Sequence, residues 1–275
     1  MTLTTPTAAY PWRPDSQFFA ANEVVADALI MQTSTIAGNV DGDQPAVRVA
    51  FVDDADTADY YAENAEITAS DPGLNEVVVR TKKLARLVNL SSEQFRQELT
   101  AAQVAESVAR DLIRKADASY IDDVTDPTGL LNVIDTISAD AGVYGNLDNL
   151  VELIAQLQVN GAAPTHIVLD PLGWASLRNL KIGTDYNSTL LGAGTTDAMP
   201  MLLSLPVLVS RFIPAYSGLV IDQRAVVSAV GPVAVATSEH ALFSRDAVQL
   251  RATWRIGWGV TRPNWIGKFS LAPGS

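Results

Sequence analysis

Residues 248–260 keep a strict two-residue rhythm. Val248, Leu250, Ala252, Trp254, Ile256, Trp258 and Val260 alternate with Gln249, Arg251, Thr253, Arg255, Gly257, Gly259 and then Thr261. Successive side chains of a strand point to opposite faces, so this pattern is a strand with one apolar and one polar face. It runs to about twice the usual strand length. A second long element stands upstream. From residue 101, Val104, Ala105, Val108, Ala109, Leu112, Ile113 and Ala116 form one apolar stripe at spacings of three and four, with Arg110, Arg114 and Lys115 mostly on other faces. The stripe predicts a helix of about 20 residues, roughly 30 Å long, ending near Tyr120. Ser91 with Gln94, and Thr100 with Gln103, have the spacing of capping boxes ahead of it. Pro127 and Gly129 make a turn after it. A strand and a helix of such lengths predict an elongated scaffold, not a compact barrel.

The remaining segments are shorter. Residues 4–15 carry three prolines with Tyr10 and Trp12 and show no periodicity; they read as an extended arm ordered only by lying on something else. A short helix is expected at 23–31. Residues 47–52 read as a strand. Then come Asp53, Asp54, Asp56, Asp59, Glu63, Glu66, Asp71 and Glu76, and a second strand from Val77 to about Asn89. The two strands predict a long hairpin. A two-stranded hairpin is marginal in water, so it is expected to lie across another surface, which points to an oligomer. The middle alternates: a helix over 147–159 with Gly161 beyond its end, a buried strand at 166–169, a helix over 171–180 with proline in its first turn, a glycine- and threonine-rich loop at 183–196, and strands at 205–210 and 219–222.

Composition narrows the function. With 275 residues the chain can bury a real core, as one large domain or two small ones. Apolar residues are 48% and charged residues 18%, so it is expected to fold. It lacks the run of about 18 apolar residues that a membrane-crossing helix needs. The first residues show no signal-peptide pattern, so the protein is expected to stay in the cytosol where it is made. The absence of cysteine excludes disulfides, thiolate metal sites and cysteine nucleophiles. A net charge of −12 repels phosphate backbones, so sequence-specific DNA binding is not expected.

No catalytic constellation stands out. His166 and His240 are far apart, and no HExxH or paired histidine–cysteine spacing predicts zinc. Gly192-Ala193-Gly194 lacks the third glycine of a dinucleotide loop, no phosphate-binding GxxxxGK[ST] exists, and Tyr216-Ser217-Gly218 is a turn, not a nucleophile elbow. Counted from Asp54, a calcium loop would need glycine where Asp59 stands and glutamate where Ala65 stands. Trp254, Trp258 and Trp265 read as core. Neither enzyme activity, cofactor nor metal is expected.

The order of parts resembles the major capsid protein family of tailed phages. Three stretches carry the likeness. The acidic loop followed by Arg80-Thr81-Lys82-Lys83-Leu84-Ala85-Arg86-Leu87-Val88-Asn89-Leu90-Ser91 looks like the family's second extended-loop strand leading into its spine helix. In 116–131, a helix end precedes Pro127-x-Gly129-Leu130. Phe243-Ser244-Arg245-Asp246-Ala247-Val248-Gln249-Leu250-Arg251-Ala252, continuing to Arg255 and Pro263, is similar to the family's closing strand.

The resemblance implies an α+β, Hong Kong 97-type fold: an N-terminal arm (1–43), an extended loop (44–89), a peripheral domain with spine helix and long strand (90–128 and 237–275) and an axial domain (129–236). It implies a structural subunit that self-assembles through hexamers and pentamers into an icosahedral phage head, built in the host cytoplasm and enclosing double-stranded DNA without reading its sequence. The implied partners are further copies, a separate scaffolding protein, a portal and decoration proteins. An encapsulin-type shell enclosing an enzyme is the alternative. Two features depart from the family pattern. No lysine occurs before Arg80, so a loop-lysine crosslink is not expected, and Val124-Thr125-Asp126 replaces the glycine pair usual after the spine helix. For contacts between subunits, Asp53, Asp54, Asp56, Asp59, Glu63 and Glu66 are expected to meet a neighbour's Arg80, Lys82, Lys83, Arg86, Arg251 and Arg255.

Overall fold

The computed structural model describes residues 16–19, 24–40, 44–53, 60–64, 66–67, 73–95, 98–139, 143, 146–181, 189–191 and 200–271. In chain order the elements are β1 (Ser16–Phe19), α1 (Leu29–Thr33), β2 (Thr35–Asn39), β3 (Ala46–Asp53), β4 (Gly73–Ser91), α2 (Ser92–Phe95) and α3 (Glu98–Asp122). There follow β5 (Ile137–Ser138), α4 (Asp148–Val159), β6 (His166–Leu169), α5 (Pro171–Arg178), β7 (Met201–Leu202), β8 (Leu205–Val209) and β9 (Ser217–Ile221). The chain closes with β10 (Val226–Val230), β11 (Val233–Leu242), β12 (Ala247–Val260) and β13 (Ile266–Ser270). The fold is mixed α and β, as expected.

β12 is the predicted alternating strand, and it organises the first, seven-stranded sheet. Its residues 247–257 pair antiparallel with 81–91 of β4. On it β11 and β10 lie end to end, pairing with 247–253 and 256–260. Between them the Gly231 amide donates to the Arg255 carbonyl, and the Trp254 indole N–H donates to the Gly231 carbonyl. β1 and β2 flank β11 and β10. The apolar series Val248, Leu250, Ala252, Trp254, Ile256 and Trp258 is buried. Most of it belongs to the same core as Val108, Leu112, Ala116 and Tyr120 of α3, and Tyr120 meets Trp258 edge to face at 5.4 Å.

The second, six-stranded sheet runs β5-β13-β9-β6-β8-β7. α4 buries Leu150, Leu153 and Leu157. α5 starts on Asp170, whose carboxylate accepts from the Leu172 and Gly173 amides ahead of Pro171 at the helix start. β13 belongs to this sheet, pairing with β9 and β5, while β11 passes unbroken through residues 236 and 237.

Several boundaries differ from expectation. The long helix starts at Glu98, so Thr100 lies inside it and cannot cap it. Ser91 ends β4 directly ahead of α2, and the neighbouring Ser92 hydroxyl bonds the carbonyl and carboxylate of Asp246 at 3.0 and 2.8 Å. The junction is thus fastened by a strand end 154 residues away in sequence, a partner that local spacing does not reveal. The helix expected at 23–31 is described at Leu29–Thr33, where Asp117 of α3 receives the Leu29 amide. The helix expected to reach 180 stops at Arg178. Most of the loop expected at 183–196 lies outside the described residues.

Candidate assembly surfaces

The hairpin is made by β3 and the first eight residues of β4, in register from Ala46↔Arg80 to Asp53↔Gly73. β4 is therefore shared. Its residues 73–80 belong to the hairpin and 81–91 to the main sheet. The change of partner falls at Arg80 and Thr81, beside Gly257, where a Cβ would overlap the Arg80 backbone carbonyl. Only glycine lets the two backbones pass that closely. Beyond the crossing, the hairpin's root lies over the sheet. Val47, Val49, Val77 and Val79 pack on Val40, Val227 and Ala229 in a second, smaller core. The surface under the hairpin is thus, at its root, its own chain. Polar tethers hold the same root: Thr81 Oγ1 donates to the Gln44 carbonyl at 2.6 Å, and the Arg255 guanidinium donates to Thr81 Oγ1 and to the Gln44 carbonyl.

Past the root the hairpin has no such cover among the described residues. Leu74 is 80% exposed, Ile67 72%, and Tyr60 lies fully in solvent; Val52 and Val78 are also exposed. Glu63 and Glu66 are exposed on the same distal stretch. Asp53 ends β3, and Asp54, Asp56 and Asp59 lie outside the described residues.

The six candidate cations separate by strand parity. Arg80, Lys82 and Arg86 share the face of β4 turned to the long helix, and each already has a carboxylate of its own chain. Arg80 pairs with Asp126 at 2.5 Å, Lys82 with Asp123 at 3.1 Å, and Arg86 with Asp111 at 3.2 Å. Burial works to raise the Asp123 carboxyl, but hydrogen bonds from Thr125 and Lys82 outweigh it and hold the group below its ordinary range. Lys83, Arg251 and Arg255 stand on the opposite, open face. There Lys83 is registered with Arg255 and Leu87 with Arg251, and registered partners project to the same side. Lys83 and Arg251 are exposed and have no carboxylate partner among the described residues, and Leu87 between them is 56% exposed.

The exposed apolar residues of the hairpin are hard to see in the sequence, because the acidic background draws attention to charge. One signal is present. Three consecutive valines, Val77-Val78-Val79, put apolar side chains on both faces of a strand, so one face serves the root and Val78 is left outward.

Chemistry is sparse elsewhere. Among the described residues no three histidine or carboxylate side chains converge as metal ligands would, and no helix is long and apolar enough to cross a membrane. His166 is half-buried beside Thr165, and burial lowers its pKa. Trp254, Trp258 and Trp265 are buried with indole N–H groups donating to the carbonyls of Gly231, Thr128 and Asn160. Asp222 is fully buried at the end of β9, accepting from the Ala163 amide and the Arg224 side chain. Its desolvation is outweighed by those hydrogen bonds and its pKa stays below the ordinary range.

Among the described residues, then, the first sheet is open over part of one face and the hairpin projects past its own root. The sequence matches the phage capsid family over residues 22–270, and the chain belongs to that family. It is a major capsid protein, a subunit of an icosahedral phage shell, and its place is the virion. Solved structures agree in fold. The capsid of a native GTA particle is 18% identical with a TM-score of 0.69, covering 88% of this chain and 89% of that one. A chain from Microbacterium phage Oxtober96 is 13% identical with a TM-score of 0.69, covering 89% and 91%. One from Mycobacterium phage Adephagia is 15% identical with a TM-score of 0.68, covering 90% and 91%. Among curated proteins none matches the chain.

Proposed function

We propose that the shell is held together, in part, by the distal hairpin of each subunit lying on the open sheet face of its neighbour. Glu63, Glu66 and the acidic residues 53, 54, 56 and 59 would meet Lys83 and Arg251, with Arg255 at the margin. Leu74, Ile67 and Tyr60 would cover Leu87 and Ala85. The single observation behind this reading is the complementary pair of uncovered surfaces on one chain, one acidic and apolar, the other basic and apolar. Exposed ion pairs contribute about 0.2–1 kcal/mol each, so apolar burial supplies most of the affinity and charge sets the register. Arg80, Lys82 and Arg86, already paired within the chain, would hold the hairpin's base and not the neighbour.

The rest of the reading follows the family. Subunits would associate as hexamers and pentamers in the host cytoplasm, with a separate scaffolding protein, a portal and decoration proteins, and enclose double-stranded DNA. The subunit acts structurally and not as an enzyme. Residues 1–43 would form the arm, 44–89 the extended loop, 90–128 with 237–275 the peripheral domain and 129–236 the axial domain, β13 returning to the axial sheet through its pairing with β9.

Reversing Asp53, Asp54, Asp56 and Asp59 to lysine, or Lys83 and Arg251 to glutamate, should leave folded subunits that fail to assemble. Combining the two sets should recover shells in part. Negative-stain microscopy of the expressed proteins reads the outcome, and normal shells from either single set would remove the docking proposal. Nuclease-protected nucleic acid in purified particles tests the cargo.

A further inference from the structure

We propose that Asp117 is a pH-sensitive latch: its carboxyl group holds the N-terminal segment 24–33 against the long helix, and protonation tightens that hold. Asp117 is 7% exposed, on the inward face of α3. Its Oδ1 accepts the Leu29 amide at 2.8 Å, a contact spanning 88 residues of sequence. Three residues on, the fully buried Tyr120 hydroxyl lies 3.0 Å from Thr33 Oγ1. Thr33 gives its own proton to the Leu29 carbonyl, so Tyr120 is the donor between them. Val25, Ala28, Leu29 and Ile30 enter the main core beside these bonds. The segment is therefore fastened to the long helix by one carboxyl, one phenol and a small apolar patch.

What surrounds the carboxyl makes it titrate. Asp117 lines a cleft of about 530 Å³ together with Asp27, Gln32, Pro171, Arg211 and Phe212, so water and protons can reach it. Among the described residues, the charged groups lining the same cleft are Asp27 from the segment itself and Arg211 from the turn after β8, and Tyr120 stands one turn on along its own helix. None forms an ion pair with it among the described residues, and the Arg211 guanidinium sits over the Phe212 ring at 5.1 Å. A buried carboxylate without a cation is disfavoured in its charged form. Desolvation raises the Asp117 pKa to about 6, and the Leu29 amide offsets only part of that.

The sign follows by linkage. A group whose pKa is higher in the docked state than its ordinary value favours docking when protonated, so docking is strongest below pH 3.8 and weakens as pH rises through about 6. With the undocked carboxyl at its ordinary value of 3.8, those two values correspond to a change of about tenfold in the docking equilibrium between pH 7.5 and pH 5.

Hydrogen exchange of the segment 24–33 in the full-length protein, corrected for the intrinsic pH dependence of exchange, is the test. Protection should rise about tenfold from pH 7.5 to pH 5. Asp117→Asn keeps an acceptor for the Leu29 amide and removes the buried charge. It should be at least as protected as the parent at pH 7.5 and flat across the range. Tyr120→Phe should lose protection equally at both pH values and keep the slope. Protection in the parent protein that is flat or falls on acidification would overturn the proposal, whether or not the variants fold. So would an Asp117→Asn protein that keeps the parent's slope.

Discussion

In the second sheet, burial runs consecutively along the strands: Ile167, Val168 and Leu169 of β6, and Leu219, Val220 and Ile221 of β9, are all buried. A strand buried at every residue has both faces covered. In β12 of the first sheet, burial keeps the two-residue rhythm from Val248 to Ile256, and the alternate positions hold Arg251, Thr253 and Arg255. Where the hairpin's root crosses over, burial becomes consecutive again, at 256–258 of β12 and along β10. The central strands of the second sheet are covered on both faces within the chain. The other sheet is complete on its helix side, covered at one end by the hairpin, and open over the rest among the described residues. On the proposed docking, this division separates what folds the subunit from what joins subunits.

Substitutions should separate the two roles. The largest loss of subunit stability is expected from Trp254→Ala, which empties the first sheet's closed face and orphans the Gly231 carbonyl. About 3–5 kcal/mol should disappear, read from urea unfolding of dissociated subunits. Asp222→Ala, at the end of β9, should cost about 1–3 kcal/mol by unpairing the Ala163 amide and Arg224. The parent's pH profile should carry the same signature. Since the Asp222 pKa is depressed on folding, its contribution is present above the ordinary value of 3.8 and is lost as pH falls through the lower folded value. The variant should lack that component of acid unfolding. Lys82→Ala, which breaks a part-exposed pair with Asp123, should cost only about 0.2–1 kcal/mol. The double change Lys83→Glu with Arg251→Glu should shift subunit stability by less than about 0.5 kcal/mol while abolishing shells. An open-face variant that unfolds the subunit would erase the distinction between the sheets.

Much of this division is legible in the amino-acid sequence. The period of residues 248–260 marks both the strand and its buried face, because a two-residue repeat has only one way to hide its apolar set. The long helix is legible for the same reason at its own period. Strand parity also separates Lys83 from Arg80, Lys82 and Arg86, since they stand on odd and even positions of one strand. What parity cannot supply is the partner: Asp111, Asp123 and Asp126 are recruited by the path of α3 and the turn after it. Asp117 does not stand out as a special group, because the amide it accepts comes from a segment almost ninety positions earlier and the cleft it lines is built from several distant stretches. The hairpin is visible as an element, but its root's packing needs the crossing at Gly257, a contact between strands that no local pattern records.

The sharing of β4 has a mechanical consequence. The hairpin is not hung from the body by a flexible link. The same peptide backbone that makes its outer strand continues into the main sheet and stays bonded to β12 from Thr81 to Ser91. A pull on the tip along the strand therefore loads those hydrogen bonds side by side, in shear, and they must yield together instead of peeling one at a time. Tension between neighbouring subunits would thus pass through the loop into the long strand and helix of each, so that the shell carries load along a continuous run of backbone.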